Sequence, residues 1–160
     1  MNEKELKALV EVTAGVVLTS LGFQGPAEHQ QVQTAFELAY VKGDFGVSVE
    51  VNTLDQCVAA FIYHASVQER FRPAYRDVYG KIQKRYLTEI LVTLGLITRK
   101  SLQERNQKLR KLASSFDENA KVLCEEEARL LKQWVPHLIP LKDSLFGMTT
   151  IDGAPANFYV

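Results

Sequence analysis

The tripeptide Asp44-Phe45-Gly46 is the first candidate for chemistry, because an aspartate before Phe-Gly holds magnesium over ATP in protein kinases. A kinase also needs a glycine-rich loop and a His-Arg-Asp catalytic loop upstream, and neither precedes Asp44 here. We therefore interpret Asp44 as a turn residue and Phe45 as the first inward residue of a strand. Gly46 would then lie on the exposed face of that strand.

The histidines and a run of three glutamates are the next candidates, since both types of side chain bind metals. His29, His64 and His137 are not spaced as zinc ligands relative to Cys, Asp or Glu. Consecutive helical residues point in different directions, so Glu125, Glu126 and Glu127 cannot converge on one atom. The sequence predicts no metal site and no cofactor, and the glutamates indicate a solvated helix face.

Two cysteines, Cys57 and Cys124, could act as nucleophiles if their thiols were exposed and acidic. They form no Cys-x-x-Cys motif; Cys57 precedes an apolar strand and Cys124 lies on the apolar seam of a predicted helix, which predicts buried, reduced and inert thiols. No Gly-x-Ser-x-Gly elbow or phosphate-binding loop is present either. We therefore predict no catalytic residue and no enzymatic activity.

Length and composition are those of an ordinary globular protein. With 160 residues, 46% hydrophobic and 24% charged, the chain is predicted to form one domain over 1–160. Its formal net charge is zero, so the molecule as a whole does not attract nucleic acid or anionic membrane. No run reaches the roughly 18 apolar residues of a membrane span. We expect a soluble, cytoplasmic protein.

In the first half of the chain, the residues predict one helix followed by a sheet. Asn2 and Glu5 form a capping box for a helix that ends at Gly22. Period-two alternation over 32–40 and 45–51 predicts a β-hairpin with one solvent-exposed face. The apolar run from Cys57 to Tyr63 predicts a third strand that is covered on both sides.

In the second half, the pattern indicates helices. Pro73 suits the first turn of a helix whose apolar stripe would run from Tyr75 to Ile90. A second capping box at Ser101 starts a seven-residue repeat that predicts one long helix, or two broken near Ser114-Ser115. The apolar seam formed by this repeat could also be a dimer interface, so a homodimer is an alternative. The predicted fold class is α+β: an N-terminal helix, an antiparallel meander of three to four strands, then two or three long helices packed on the sheet.

Charge is segregated along the chain although the total is zero. Residues 69–85 and 99–111 carry net charges of +4 and +5, whereas 28–55 and 117–127 each carry −4. These stretches could pair inside the fold, or one could contact a protein partner of opposite charge. A third alternative is a basic helical face for nucleic acid, formed by Arg70, Arg76, Lys81, Lys84, Arg85, Arg99, Lys100, Arg105 and Lys108.

The Leu21-Gly22-Phe23 break and the meander over 32–63 resemble small bacterial immunity proteins of polymorphic or contact-dependent toxin systems. Secretion chaperones are a second resemblance, but they return to strands after their second helix. The immunity resemblance implies a protein that binds a toxin and masks its active site. The acidic residues of the meander and of the helical half are its natural contacts: Glu37, Glu50, Asp55, Asp117, Glu118, Glu125 and Glu126.

Overall fold

The fold is α+β, as the sequence predicts. The computed structural model describes residues 1–65, 75–76, 82–112 and 115–145. An N-terminal helical segment is followed by an antiparallel sheet, and the helices of the second half come after the sheet. The tail over 147–160 lies outside the described residues.

The N-terminal helical segment has three parts: α1 (Glu3–Val10), a π-helical turn (Glu11–Gly15) and α2 (Val16–Ser20). The predicted capping box is present, since the Asn2 side chain accepts from the Glu5 amide and Glu5 accepts from the Asn2 amide. The chain leaves the helix through Gly22, whose φ of 90° is a conformation that glycine adopts cheaply.

Among the described residues the sheet has six strands, where three or four were predicted. They are β1 (Gln24–Val32), β2 (Ala35–Lys42), β3 (Phe45–Asn52), β4 (Cys57–His64), β5 (Tyr75–Arg76) and β6 (Ile82–Tyr86). Their order across the sheet is β1-β2-β3-β4-β6-β5, with every neighbouring pair antiparallel. The predicted hairpin corresponds to β2 and β3, and the predicted third strand to β4.

One face of the sheet forms the main core. Val47, Val49 and Val51 of β3 lie beside inward residues of β2 and β4, and all three are buried. Helices α1 and α2 and the long C-terminal helix supply the other half of the core cluster. Phe45 faces this core and Asp44 lies in the β2–β3 turn, as predicted.

Most of the opposite face of the sheet is also buried in the described strands, which corrects the prediction of a solvent-exposed face. Glu37, Gly46 and Ser48 all lie on this face and are buried. Many of its side chains are small, and the ring of Tyr63 occupies the space where a Cβ of Gly46 would lie. Glu37 therefore cannot contact a partner at the surface.

The predicted helix after Pro73 is wrong in its described part. The segments 75–76 and 82–86 are strands, and only Leu87–Thr93 (α3) is helical. Tertiary pairing overrides the helical spacing here, because Phe61, Ile62 and Tyr63 of β4 offer an edge to Tyr86, Arg85 and Lys84. Residues 72–74 and 77–81 lie outside the described part.

The seven-residue repeat forms two helices, α4 (Arg99–Leu112) and α5 (Phe116–Leu138). Leu102, Phe116, Leu123 and Leu130 of this repeat are buried, and α5 continues two residues past Pro136. A 3₁₀ turn (Ile139–Leu141) and α6 (Lys142–Leu145) follow. Among the described residues, no helix has the length and apolar character needed to cross a membrane.

Candidate functional site

A concave site lies beside the first half of β4 in the described part of the structure. Strand β6 pairs with β4 only at Phe61, Ile62 and Tyr63, and the chain then turns into α3 at Leu87. Within the described residues, the sheet ladder on this side therefore stops before Cys57–Ala60. A groove of about 340 Å³ follows this edge of β4, bounded by α4, by α5 and by the start of α3.

Two of the seven predicted acidic contacts meet in this groove. Glu50 reaches it from β3, where it pairs with Ala59 of β4, and Asp55 reaches it from the β3–β4 turn. Asp55 accepts a hydrogen bond of 2.8 Å from the Asn52 amide side chain, which fixes the turn. Opposite them, Leu109 and Leu123 make one wall apolar. The groove thus combines an acidic rim with an apolar wall.

The other predicted acidic contacts lie elsewhere. Asp117 pairs with the N-terminal amine at 2.8 Å, and Glu125 approaches Lys121 at 3.8 Å on the exposed side of α5. Glu126 binds Arg105 and Arg129, and the Arg129 hydrogen bond is the first cause of its lowered pKa. The Glu118 side chain lies outside the described part of the structure. No common acidic surface is formed.

Glu127 closes the inner end of the groove. Its carboxylate accepts the Ala60 backbone N–H of β4, and Arg105 Nη2 of α4 lies 2.7 Å from Glu127 Oε1. The side chain is 7% exposed, and its burial raises its pKa while Arg105 opposes that rise. A single carboxylate therefore joins the strand edge to two helices.

Sequence reasoning missed Glu127 as a groove residue, although a signal exists. Glu127 stands seven residues after Ala120 and seven before Trp134. These positions form a second inward-facing row beside the seven-residue repeat. An acidic residue in an apolar row needs a buried partner, and Arg105 is that partner.

Cys57 opens onto the groove, which corrects the prediction of a buried thiol. Desolvation by the surrounding groove, aided by Glu50 and Asp55, raises its pKa to about 11. Cys124 is buried on α5 as predicted, and burial raises its pKa to about 12. Neither environment favours the thiolate, so neither cysteine is set up as a nucleophile.

The predicted basic face divides into buried and exposed parts. Lys84 and Arg85 are buried strand residues, so they cannot contact nucleic acid as part of a helical surface. Lys84 Nζ lies 3.3 Å from Glu37 on one face of the sheet, and Arg85 Nη2 lies 2.9 Å from Glu89 on the other.

The remaining basic positions are not equivalent. Arg105 is held by Glu126 and Glu127, whereas Arg99, Lys100 and Lys108 are exposed on α4. Arg70 and Lys81 lie outside the described residues, as does the side chain of Arg76. Among the predicted basic positions that the structure describes, the accessible ones lie on α4.

The buried face of the sheet carries a polar cluster that could be mistaken for an active site. The Lys84 ammonium lies 4.7 Å from the centre of the Phe61 ring and reaches Glu37 across the sheet. Glu37 Oε1 and Ser48 Oγ have no hydrogen-bond partner among the described residues. Because both residues are fully buried, this cluster offers no described route to a substrate.

Asp44 serves the fold rather than a metal. It binds Lys142 of α6 at 2.7 Å, and this contact is the first cause of its lowered pKa. His64 Nε2 lies 3.8 Å from the other carboxylate oxygen. Across the described ranges, no three His, Cys, Asp or Glu side chains are grouped so that they could hold a metal ion.

Comparisons with known protein families, with curated proteins and with solved structures give no match for this chain. The function must therefore be inferred from the groove, the strand edge and the charges that surround them.

Proposed function

We propose that this protein binds another protein without catalysing a reaction, and that it masks a partner's active site in the manner of a cytoplasmic immunity protein. The groove beside Cys57–Ala60 of β4 is the observation that supports this most directly. In this groove, an edge of β4 that no described strand extends lies beside an acidic rim and an apolar wall. These are the features by which a protein recognises a segment of another protein.

The charges of the groove favour a basic partner. Its lining contains Glu50, Asp55 and Glu127 against Arg105 and Arg110. Arg105 is engaged by Glu127 and by Glu126, so its charge is balanced within the protein. The exposed Asp55, with Glu50 beside it at the rim, is the part that would attract a positively charged segment, such as the substrate-binding surface of a nuclease.

The test is complex formation with the protein encoded beside this chain. We expect a complex at micromolar concentration by size-exclusion chromatography and calorimetry, with loss of the partner's activity on binding. Glu50→Lys and Asp55→Lys should each weaken binding at least tenfold, because each places a positive charge in the acidic rim. Circular dichroism and thermal unfolding of each variant establish that the fold is retained.

Glu125→Lys is the matched control, since Glu125 is exposed on α5 and faces away from the groove residues Leu123 and Glu127. It makes the same charge change and should leave affinity unchanged. Loss of binding with Glu125→Lys alone would move the interface to α5. The absence of any complex at micromolar concentration would overturn the proposal.

Nucleic-acid binding is the second candidate, and the exposed bases of α4 are the observation that favours it. Arg99, Lys100, Lys108, Arg110 and Lys111 are all exposed on this helix. However, Lys84 and Arg85 are buried in ion pairs, which removes them from the predicted surface. The groove is therefore the better supported site.

A further inference from the structure

We infer that the partner of the β4 groove enters it as an extended segment that adds an antiparallel strand at Cys57–Ala60, with a basic residue between two apolar ones. This inference rests on the proposed protein-binding function and names the chemistry of its partner. Strand addition draws affinity from main-chain hydrogen bonds and specificity from alternate side-chain sites. The edge of β4 offers both.

Ala60 shows which way the main chain of β4 is oriented at this edge. Its N–H is directed to Glu127 of α5, and hence away from β3 on the other side of β4. Hydrogen-bonding groups of an antiparallel strand point alternately to its two neighbours, so the N–H and C=O of Val58 point into the groove as well. The ladder on this side begins at Phe61 among the described strands. Val58 is thus the residue to which an added strand would bond.

The residue of the added strand that lies opposite Ala59 is expected to be basic. Ala59 pairs with Glu50 of β3, and its side chain is a single methyl group. A lysine or arginine opposite Ala59 would extend over this methyl group to the Glu50 carboxylate, with Asp55 at the same rim. A hydrophobic or acidic residue at that position would lose this pairing.

The neighbouring residues of the added strand would point to the other face. There they would meet Leu109 of α4 and Leu123 of α5, which line the apolar wall of the groove. Side chains of a strand alternate between faces with a period of two. The expected segment is therefore apolar-basic-apolar, about 10 Å long at the usual rise of a strand.

The test uses synthetic peptides and the intact chain. The probe is acetyl-Thr-Val-Lys-Val-Thr-amide, titrated to about 2 mM against ¹⁵N-labelled protein. We expect the largest chemical-shift changes at residues 57–60, and slowing of hydrogen exchange at the Val58 amide by at least tenfold. The same peptide with Glu in place of Lys should bind at least tenfold more weakly.

Two further comparisons separate strand addition from simple charge attraction. In the probe, the valine that follows the lysine lies opposite Val58. N-methylation of that valine should abolish binding, whereas N-methylation of the lysine should not. Glu50→Lys should reverse the preference, so that the Glu peptide binds more tightly than the Lys peptide. Val58→Pro removes the amide directed into the groove and should abolish binding while leaving the β3–β4 ladder intact.

The outcomes distinguish the two proposals. If the Lys peptide shifts no resonance at 57–60, or if N-methylation has no effect, strand addition is overturned. Protein binding through the groove would still stand if Glu50→Lys breaks the complex with the full partner. If neither Glu50→Lys nor Asp55→Lys weakens that complex, the proposed function is overturned as well.

Discussion

At the scale of single residues, the pair of Lys84 and Glu37 places two charges where water cannot reach them. Both side chains are fully buried, and their charged atoms lie 3.3 Å apart. Removing two charges from water costs several kcal/mol per ion, and their attraction offsets this only while both are present. The pair therefore stabilises little by itself, but its disruption would be severe.

We predict that Lys84→Met destabilises the protein by about 3–5 kcal/mol, because it leaves the Glu37 carboxylate buried without its counter-charge. Urea denaturation would measure the change. The double variant Lys84→Met/Glu37→Leu should recover most of the loss, since no buried charge remains. Lys121→Met, at an exposed pair with Glu125, is the control and should change stability by less than about 0.5 kcal/mol.

A loss below about 1 kcal/mol for Lys84→Met would contradict this view of the pair. So would a double variant as unstable as the single one, because the deficit would then come from packing rather than from charge. The comparison is informative only if all variants keep the same dependence of unfolding free energy on urea.

The second residue-scale prediction concerns the Cys57 thiol. With a pKa of about 11, it is a thiolate only about once in a thousand at pH 8. After allowing for the greater nucleophilicity of a basic thiolate, alkylation should be roughly 20-fold slower than for an unperturbed cysteine. Iodoacetamide labelling followed by mass spectrometry measures the rate, which should increase steadily from pH 8 to about pH 11.

Neighbouring charge gives the control for this prediction. Asp55→Asn should accelerate labelling of Cys57, because the Asp55 carboxylate contributes to the raised pKa. Cys124 should stay unlabelled until the protein is unfolded, since it is buried. Labelling of Cys57 as fast as a small thiol at pH 8 would show that the groove does not disfavour its charge.

At the scale of elements, Gly46 shows why β3 can lie beneath an aromatic side chain. A Cβ at this position would lie 2.3 Å from the Tyr63 ring on the neighbouring strand. The glycine of the Asp44-Phe45-Gly46 tripeptide is thus explained by packing within the sheet. No ligand is needed to account for it.

We predict that Gly46→Ala destabilises the protein by about 1–3 kcal/mol, the usual cost of adding a group to a filled core. Thermal or urea denaturation would measure it. Gly43→Asn is the matched control in the same hairpin: Gly43 has a φ of 62°, which asparagine tolerates, and no atom lies within 4 Å of an added Cβ. Equal stability of Gly46→Ala and the parent would mean that Tyr63 does not cover this position.

The central strands could be predicted because burial of one face requires alternating side chains. Phe36, Leu38 and Tyr40 mark β2, and the valines of β3 do the same. Strand β1 shows no such pattern, because it is an edge strand whose described side chains are mostly exposed. Backbone hydrogen bonds to β2 hold β1 in the sheet, and such bonds require no alternation of apolar and polar residues.

Strand β6 and the buried second face were mispredicted for a related reason. Lys84 and Arg85 are charged, and charge normally indicates exposure. Each is buried because a glutamate from another element, Glu37 or Glu89, meets it. The pairing of Lys84 with Glu37, which is distant in sequence, cannot be derived from spacing. The small residues opposite the core face, including Gly46 and Ser48, were the available sign that this face is packed.

The candidate site, like the fold, could be predicted from the sequence only in part. The sequence pointed to acidic residues of the meander and of the helical half, and two of them, Glu50 and Asp55, meet beside β4. The other side of the groove, with Arg105 and Glu127, comes from helices that are distant in sequence. Their position depends on how α4 and α5 pack against each other, which spacing alone cannot determine.

At the scale of the whole molecule, the segregated charges are partly neutralised within the fold. The basic stretch over 99–111 meets the acidic stretch over 117–127 where Arg105 binds Glu126 and Glu127. The basic stretch over 69–85 meets the acidic stretch over 28–55 where Lys84 binds Glu37. Less positive charge therefore remains at the surface than the sequence suggests, which favours the protein-binding proposal over nucleic acid.

We therefore predict no binding to generic RNA or DNA at physiological salt. In a mobility-shift assay at 150 mM salt, about 1 µM protein should leave the probe unshifted, because the net charge is zero and α4 offers few phosphate contacts. At about 20 mM salt a weak shift is expected, since fewer counterions compete for the phosphates. Lys100→Glu/Lys108→Glu should abolish that shift.

The same assay separates the two candidate functions. Lys100 and Lys108 are exposed on α4, whereas the strand-addition site lies at the edge of β4, so the double charge reversal should not weaken binding of a basic partner. If the parent protein shifts the probe at 150 mM salt and the double variant does not, α4 is a nucleic-acid surface. In that case the groove variants Glu50→Lys and Asp55→Lys should leave the shift unchanged, and the protein-binding proposal would lose its advantage.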